Sequence, residues 1–428
     1  MAPTMGIVTQ SPGLMPLPGG WIREMDLSTM VLDNGAHIDD EPVLKPQVIP
    51  TAGVPSTQRA ILTREVGRSL EMALETVPVR EPGAGEVVLR ILYSGICRSD
   101  ATFSTGPLPG YPKHNHIAGH EGIGQIVKSR ESDHIALSSR LYGVRYLAWS
   151  CGSCTYCVHD LPTSCPFQLN TPKQIPGTFQ EYITVPSCVL VPLPETISES
   201  STDLALYAAA LCSGSTALKS LRVASLRPGD VIVVVGVMGA IGHLVGMIAK
   251  QVLGAKVIGV DLAAKVRRVV PAEQQDYIDI LLAAPECDEG VVWEGFHATL
   301  AKACAQLRRD QGEGVSRAAE AVIVTSSSRE GFQKLDEYVC DGGTIICVGV
   351  PKGLTMVSLP LHCLVERNLH LTGNLMGGHH ETLEVMEYIR TGQITPRITT
   401  VGLTEVPEQM QSMIDCQTVG KVVIRMSK

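Results

Sequence analysis

The chain has 428 residues, 44% of them hydrophobic and 18% charged, which is enough to bury a large core in two domains or in one domain with insertions. A net charge of −8, from 35 basic and 43 acidic residues, argues against a general nucleic-acid binder or a protein held on anionic membranes by charge, and leaves room only for a local basic patch. No unbroken apolar run comes near the roughly 18 residues of a bilayer span, so neither nucleic acid nor membrane is an expected partner.

Residues 1–54 are rich in Pro, Gly and Thr without a sustained period, and read as a flexible extension or a strap on the surface. No basic residue precedes Arg23, so the charged start of a secretory signal is missing. The acids Asp33, Asp39, Asp40 and Glu41 also speak against a mitochondrial presequence, and a cytoplasmic protein is expected.

From about Thr57 the texture is that of strands. "EVVLRILYSGIC" leads into Cys97. "HIAGHEGIGQIVKS" alternates glycines with apolar residues around a His120-Glu121 pair, and "GTFQEYITVPSCVLVPLP" is a further strand region. Between them lies "CGSCTYCVHDLPTSC". Its cysteines, Cys151, Cys154, Cys157 and Cys165, have the spacing C-x2-C-x2-C-x7-C. Four thiolates close a tetrahedral shell around Zn²⁺ with no open position, so such a site is structural. An iron–sulfur cluster is the alternative, and disulfides do not suit a long chain without a signal.

A catalytic zinc needs three protein ligands and one exchangeable position. Cys97 and His120-Glu121 offer a sulfur and a nitrogen. Cys212, at the start of a helix-like stretch "AAALCSGSTALKSL", is a third candidate, although taken alone such a cysteine is more often a small buried hydrophobe.

The middle of the chain then reads as strand, helix, strand. "DVIVVVG" is a continuous apolar run, as in a strand buried on both faces of a parallel sheet. Ile241, Leu244, Val245, Ile248, Ala249, Val252 and Leu253 follow at helical spacing, and "AKVIGVD" is the second strand. The turn between them is Gly236-Val-Met-Gly239-Ala-Ile-Gly242. Its backbone can approach a pyrophosphate, and the helix start presents N–H donors. Asp261, at the end of the second strand, can accept hydrogen bonds from both hydroxyls of a ribose and would repel a 2′-phosphate, which favours NAD over NADP. "AEAVIVTSS" and "GGTIICVGVP" read as further strands of the same sheet.

Together "GICRSD", "GHEGIGQIV", the cysteine cluster, "GTFQEY", "LCSGSTALKSL", the glycine turn with Asp261 and "GTIICVGVP" make the chain resemble zinc-dependent medium-chain alcohol dehydrogenases, in particular their yeast-type branch, from about residue 57 to the C-terminus. The resemblance implies a GroES-like, β-rich catalytic domain over 55–213, completed by 375–428. An inserted Rossmann domain, a doubly wound parallel sheet, covers 214–374. It implies two zinc ions per chain, a catalytic one on Cys97, His120 and Cys212 and a structural one on the four clustered cysteines. Asp100 would orient the His120 ring, and Glu121 would be a carboxylate behind the ligands. Ser99 would take the substrate proton.

On the cofactor side, the resemblance puts Arg98 and Lys421 at the pyrophosphate, Val348 beside the nicotinamide and Thr216 behind it, with Lys265 joining Asp261. The implied reaction moves a hydride between NAD(H) and an alcohol, aldehyde or ketone. The chain would assemble as a dimer or tetramer through the Rossmann sheet edge, for which "NLHLTGNL" is the candidate strand.

Two positions depart from the family pattern. Thr102 stands where a relay histidine is common, so the relay would pass through Thr102 and water, or through His114 or His116. Gly106, before "PLP", replaces a bulky tryptophan, which predicts a pocket for a carbonyl bulkier than ethanol's and a specialised pathway. Two rivals remain at this stage. One is a zinc-free double-bond reductase, which should lack the ligands. The other is a catalytically silent NAD-binding protein with the structural zinc alone.

Overall fold

The computed structural model describes residues 53–67, 70–105, 115–129, 140–199, 203–268, 276–285, 290–308, 318–351 and 353–426. The expectations for residues 1–52, for Gly106 and for His114 lie outside these residues.

Two large sheets carry the architecture. The valine run Val231–Val235 is buried at every position and pairs in parallel with Lys256–Asp261 on one side and Ala319–Val324 on the other. β-branched side chains pack well on a pleated surface covered from both faces, which is why this run lies at the centre. The spatial order is Ile280–Ala283, Lys256–Asp261, Val231–Val235, Ala319–Val324, Val339–Cys347, His370–Gly373, and every pairing is parallel. The order reverses beside Val231–Val235, which is the switch point at which doubly wound sheets bind ligands.

The second sheet is mostly antiparallel and centres on Glu86–Gly95, which pairs with Gly122–Ser129 and with Tyr182–Pro186. Lys421–Arg425 returns from the far end of the chain to pair with Tyr93–Gly95, and Ile398–Gly402 adds to it in parallel. The C-terminal residues thus complete the β-rich half.

Helical residues Leu204–Ala224 join the two halves. They form an α-helix at Leu204–Ala208, a π-turn at Ala210–Gly214 and an α-helix again at Ser215–Ala224. By length and mean hydropathy this stretch could cross a membrane, although Lys219 and Arg222 and several serines interrupt its apolar run, as expected. However, 83% of its apolar window is buried, and Leu211, Leu218 and Leu221 sit in one core cluster with Ile232 and Val234. It is a core helix.

Candidate active site

The glycine run around His120 is dictated by crowding. Gly119 has φ +96°, and a Cβ there would lie 2.5 Å from the Phe179 ring and 2.6 Å from Thr178 Oγ1. Only glycine lets the backbone turn here and lay His120 against the strand that starts at Gly122. Asp100, fully buried at the start of helix Arg98–Thr105, organises the turn. Its Oδ1 accepts from Gly119 N–H at 3.0 Å and meets His120 Nδ1 at 2.9 Å, while Oδ2 accepts from Cys97 N–H at 3.1 Å. With Nδ1 engaged, Nε2 is the ring atom left for a ligand.

Cys97, His120, Glu121 and Cys212 converge, each offering a donor atom within 4.8 Å of the others. The π-turn presents Cys212; an extra residue in a helical turn rotates a side chain out of the regular register. Electrostatics fit a metal-binding set. A hydrogen bond from Cys212 holds the Cys97 thiol well below its ordinary range, aided by His120, and Cys212 is pushed up in return. Burial alone would lower the His120 pKa, but Asp100 outweighs it and raises it. Burial lifts Glu121 to about 7 against the pull of Lys421. Two thiols, one imidazole and a cation-attracting carboxylate, all buried, are the donors zinc takes.

The second cysteine group fits zinc as well. Cys151, Cys154, Cys157 and Cys165 lie with their sulfurs within 4.8 Å of one another. Cys151 Sγ is 3.9 Å from Cys157 Sγ and 3.6 Å from Cys165 Sγ, against about 3.8 Å for the edge of a tetrahedron with Zn–S near 2.3 Å. Backbone N–H donors of Ser153 and Cys154 lower the Cys151 thiol to about 6.

The first group opens onto a cleft of two connected lobes, of about 170 and 150 Å³, that share Cys97, Arg98, Ile241, Thr325 and Ser327. The lobe over the metal group is lined by Ser99, Thr102, Phe103, His120, Tyr146, Cys212, Thr216, Val348, Val350, Leu375 and Met376. The other is lined by Gly236, Gly239, Asp261 and Lys265 at the carboxyl ends of the parallel strands.

Gly236 has φ +82°. A Cβ on Gly242 would lie 2.2 Å from Gly236 O, so Gly242 is a packing glycine, whereas a Cβ on Gly239 would meet only Gly236 O, at 3.3 Å, and otherwise project into open space. That shape suits close approach of a pyrophosphate. Asp261 accepts from Met238 N–H and Leu262 N–H, each at 2.8 Å, so it also holds the glycine turn closed; its carboxylate keeps further lone pairs for a ribose. Lys265 Nζ lies 4.0 Å from Asp261 Oδ1.

Lys421 is the sequence-predicted residue that the structure does not bring to the cofactor lobe. It is fully buried and absent from the cleft lining, and its Nζ donates to Glu121 Oε1 at 2.6 Å and to Ile96 O at 3.1 Å. A buried glutamate needs a countercharge, and strand Lys421–Arg425 points this lysine at it. Its neighbour Gly420 does line the lobe, and Gly420 N–H donates to Met238 O at 2.8 Å.

Arg98 lines both lobes, with Nη1 donating to Met413 O at 2.8 Å. Thr216 Oγ1 donates to Cys212 O at 2.7 Å, and Thr102 Oγ1 to Arg98 O at 3.3 Å. His116 is bonded to Thr63 O at 3.0 Å and does not line the cleft.

Several residues escaped the sequence reading. Phe103 and Tyr146 stack with centroids 5.7 Å apart, and each meets the His120 ring edge-on. Lys173 Nζ lies over both, 5.3 and 5.2 Å from their centroids. Tyr146 precedes the cysteine cluster by five residues, and no period or motif marked it.

A family model described as "Alcohol dehydrogenase GroES-like domain" matches residues 83–195. Alcohol dehydrogenase 2 of Emericella nidulans is 28% identical over 384 residues, spanning 87% of this chain and 99% of the relative. Among solved structures, acetophenone reductase from Geotrichum candidum in complex with NAD superposes with a TM-score of 0.68 at 22% identity, covering 88% of this chain and 99% of that one. A cobalt- and zinc-bound thermostable alcohol dehydrogenase from Pyrobaculum aerophilum does so with a TM-score of 0.67 at 22% identity, covering 86% and 100%. With both cysteine groups assembled and the cleft at the switch point of the parallel sheet, the chain is similar to alcohol dehydrogenases over most of its length and carries their GroES-like domain at residues 83–195.

Proposed function

We propose that this protein is a zinc-dependent, NAD-linked alcohol dehydrogenase of the yeast-type branch, which oxidises an alcohol or reduces an aldehyde or ketone bulkier than ethanol's. The observation that carries the reading is the convergence of Cys97, His120 and Cys212 on the floor of the same cleft that holds the glycine turn and Asp261. When bound, zinc supplies Lewis acidity to the substrate oxygen, and NAD(H) supplies the hydride acceptor or donor. Cys97, His120 and Cys212 hold the catalytic ion, and Cys151, Cys154, Cys157 and Cys165 a structural one.

The chain's own residues do the rest. Asp100 fixes the His120 ring so that Nε2 serves as ligand. Ser99, whose Oγ lies 3.6 Å from Cys97 Sγ, takes the proton of the substrate hydroxyl. Thr102, in the same lining, passes it towards solvent. The Glu121–Lys421 pair keeps the region behind the ligands close to neutral. Phe103, Tyr146, Val348, Val350 and Met376 give the substrate lobe apolar walls that exclude water and favour a branched or ring-bearing carbonyl. Arg98 supplies positive charge for the pyrophosphate, Asp261 and Lys265 take the ribose, and Thr216 backs the nicotinamide.

We place the domain limits at 55–213 with 375–428, and 214–374, and read residues 1–54 as an extension. Every described cysteine is free of a disulfide, which suits the cytoplasm. Self-association falls to strand His370–Gly373, whose outer edge is unpaired among the described strands. Its own Leu371 is 44% accessible, and the helix that precedes it in the chain, Leu361–Glu366, exposes Leu361 and Val365, 73% and 67% accessible.

The test combines zinc analysis with NADH oxidation across an aldehyde panel from acetaldehyde to branched and aromatic members. Two zinc ions per chain with turnover of the larger members is the expected result. One zinc and no turnover would instead give a silent NAD-binding protein.

A further inference from the structure

Arg145 follows strand Leu141–Val144 and is 3% exposed, yet its two hydrogen bonds among the described residues both go to main-chain carbonyls. Nη2 donates to Gly377 O at 2.5 Å, and Nε to Leu211 O at 3.4 Å. The three segments joined in this way are far apart in sequence. One leaves the β-rich sheet, one is the π-turn at Ala210–Gly214, and one runs into helix His379–Arg390. Each places an adjacent residue in the cleft: Tyr146 after Arg145, Cys212 after Leu211, Met376 before Gly377.

We propose that Arg145 is a positioning residue of the active site, a guanidinium clamp that sets the distance between the substrate wall, Tyr146 and Met376, and the metal-binding Cys212. The proposal rests on the metal-dependent reading above.

The chemistry favours arginine here. A guanidinium is planar, and its donors point in fixed directions, so it can hold two carbonyls at a set angle; an ammonium on a flexible stem cannot. Charge-assisted bonds to carbonyls are shorter and stronger than neutral ones, and a buried carbonyl left without a donor is costly. Burial lowers the Arg145 pKa to about 10 against the influence of Cys212 and Glu381, so it stays charged at neutral pH. A fixed positive charge near the Cys212 sulfur also stabilises its lone pairs.

Two readouts separate this role from plain packing. In cobalt-substituted protein, the sulfur-to-metal charge-transfer bands report on the thiolates directly. The four-cysteine group is untouched, so the difference between variant and wild type isolates the Cys97, His120, Cys212 group. Arg145→Met is expected to move that band to lower energy with two metal ions still bound. With zinc present, it is expected to lower kcat/KM for benzaldehyde reduction by about a hundredfold, the cost of misplacing reacting groups by about 1 Å.

Arg145→Lys keeps the charge and loses the fixed fork. It should leave the band in place while lowering kcat/KM several-fold, which covers the case in which the methionine variant does not fold. Wild-type band position and wild-type kcat/KM in Arg145→Met, or wild-type kcat/KM in Arg145→Lys, would overturn the proposal. Absence of turnover in the wild type would count against the dehydrogenase reading alone, and the cobalt band would still decide on Arg145.

Discussion

His243 makes part of the fold's stability depend on pH. Its ring is fully buried, with Nδ1 against Gly239 O at 2.9 Å and Nε2 accepting from Arg397 N–H at 3.3 Å, a pattern only the neutral ring satisfies. Burial depresses its pKa to about 4. Between pH 6.5 and 4 the unfolded chain therefore binds a proton that the native state refuses, so this contribution is complete above pH 6.5 and is lost as pH falls towards 4. At pH 5 the loss amounts to about 2 kcal/mol. Urea unfolding at pH 7.5 and pH 5 should show it in the wild type, and His243→Asn should show a smaller difference between the two pH values. Equal differences would mean that His243 titrates normally.

Two further expectations belong to single side chains. Ser99→Ala should lower kcat by about 10² to 10⁴-fold, the worth of a positioned proton acceptor, with little change in KM for NADH. Steady-state kinetics checks both numbers. Asp261→Ser removes the charge that opposes a 2′-phosphate and loosens the Met238 contact, so the ratio of kcat/KM for NADPH over NADH should rise. Without such a rise, Asp261 would be a structural brace for the glycine turn and nothing more.

Among the elements, the lobe around Cys151–Cys165 has little apolar packing of its own. Val158, Leu161 and Phe167 are 65%, 51% and 58% exposed, and helix Thr155–Val158 buries no residue. On the zinc reading proposed above, metal binding supplies the energy that packing does not. Cys154→Ser should lose one of two zinc ions and lower the thermal midpoint, as read by metal analysis and calorimetry, and strong chelators should act on the wild type in the same direction. The strand His370–Gly373 offers a second test. Leu371→Lys puts a charge on the edge left unpaired among the described strands, the device natural sheets use to block pairing, and on the self-association proposed above should give a smaller species than the wild type by light scattering.

At the scale of the whole molecule, the sequence carries its information unevenly. The strands Val231–Val235 and Lys256–Asp261 and the turn between them were readable because burial on both faces demands apolar runs and a backbone reversal demands glycine. The four-cysteine group was readable because its ligands are local: spacing alone nearly closes the shell. Cys97, His120 and Cys212 became a set only through family resemblance, since no local rule ties residues 115 positions apart.

The substrate wall, the Arg145 clamp and the partner of Lys421 were beyond reach altogether. Phe103, Tyr146 and Met376 come from three different segments, and their neighbourhood follows from how the β-rich sheet docks on the long helix, where the π-turn sets the angle at Cys212. Lys421 shows the limit most clearly. The family resemblance put it at the pyrophosphate, but its Nζ donates to the buried Glu121 Oε1 at 2.6 Å and so lies inward of the cleft. Sequence by itself determined what is periodic or local: the parallel sheet, the phosphate turn, the cysteine cage. Tertiary structure decided what depends on convergence, because long-range contacts and desolvation choose each polar group's partner, and chain order does not record them.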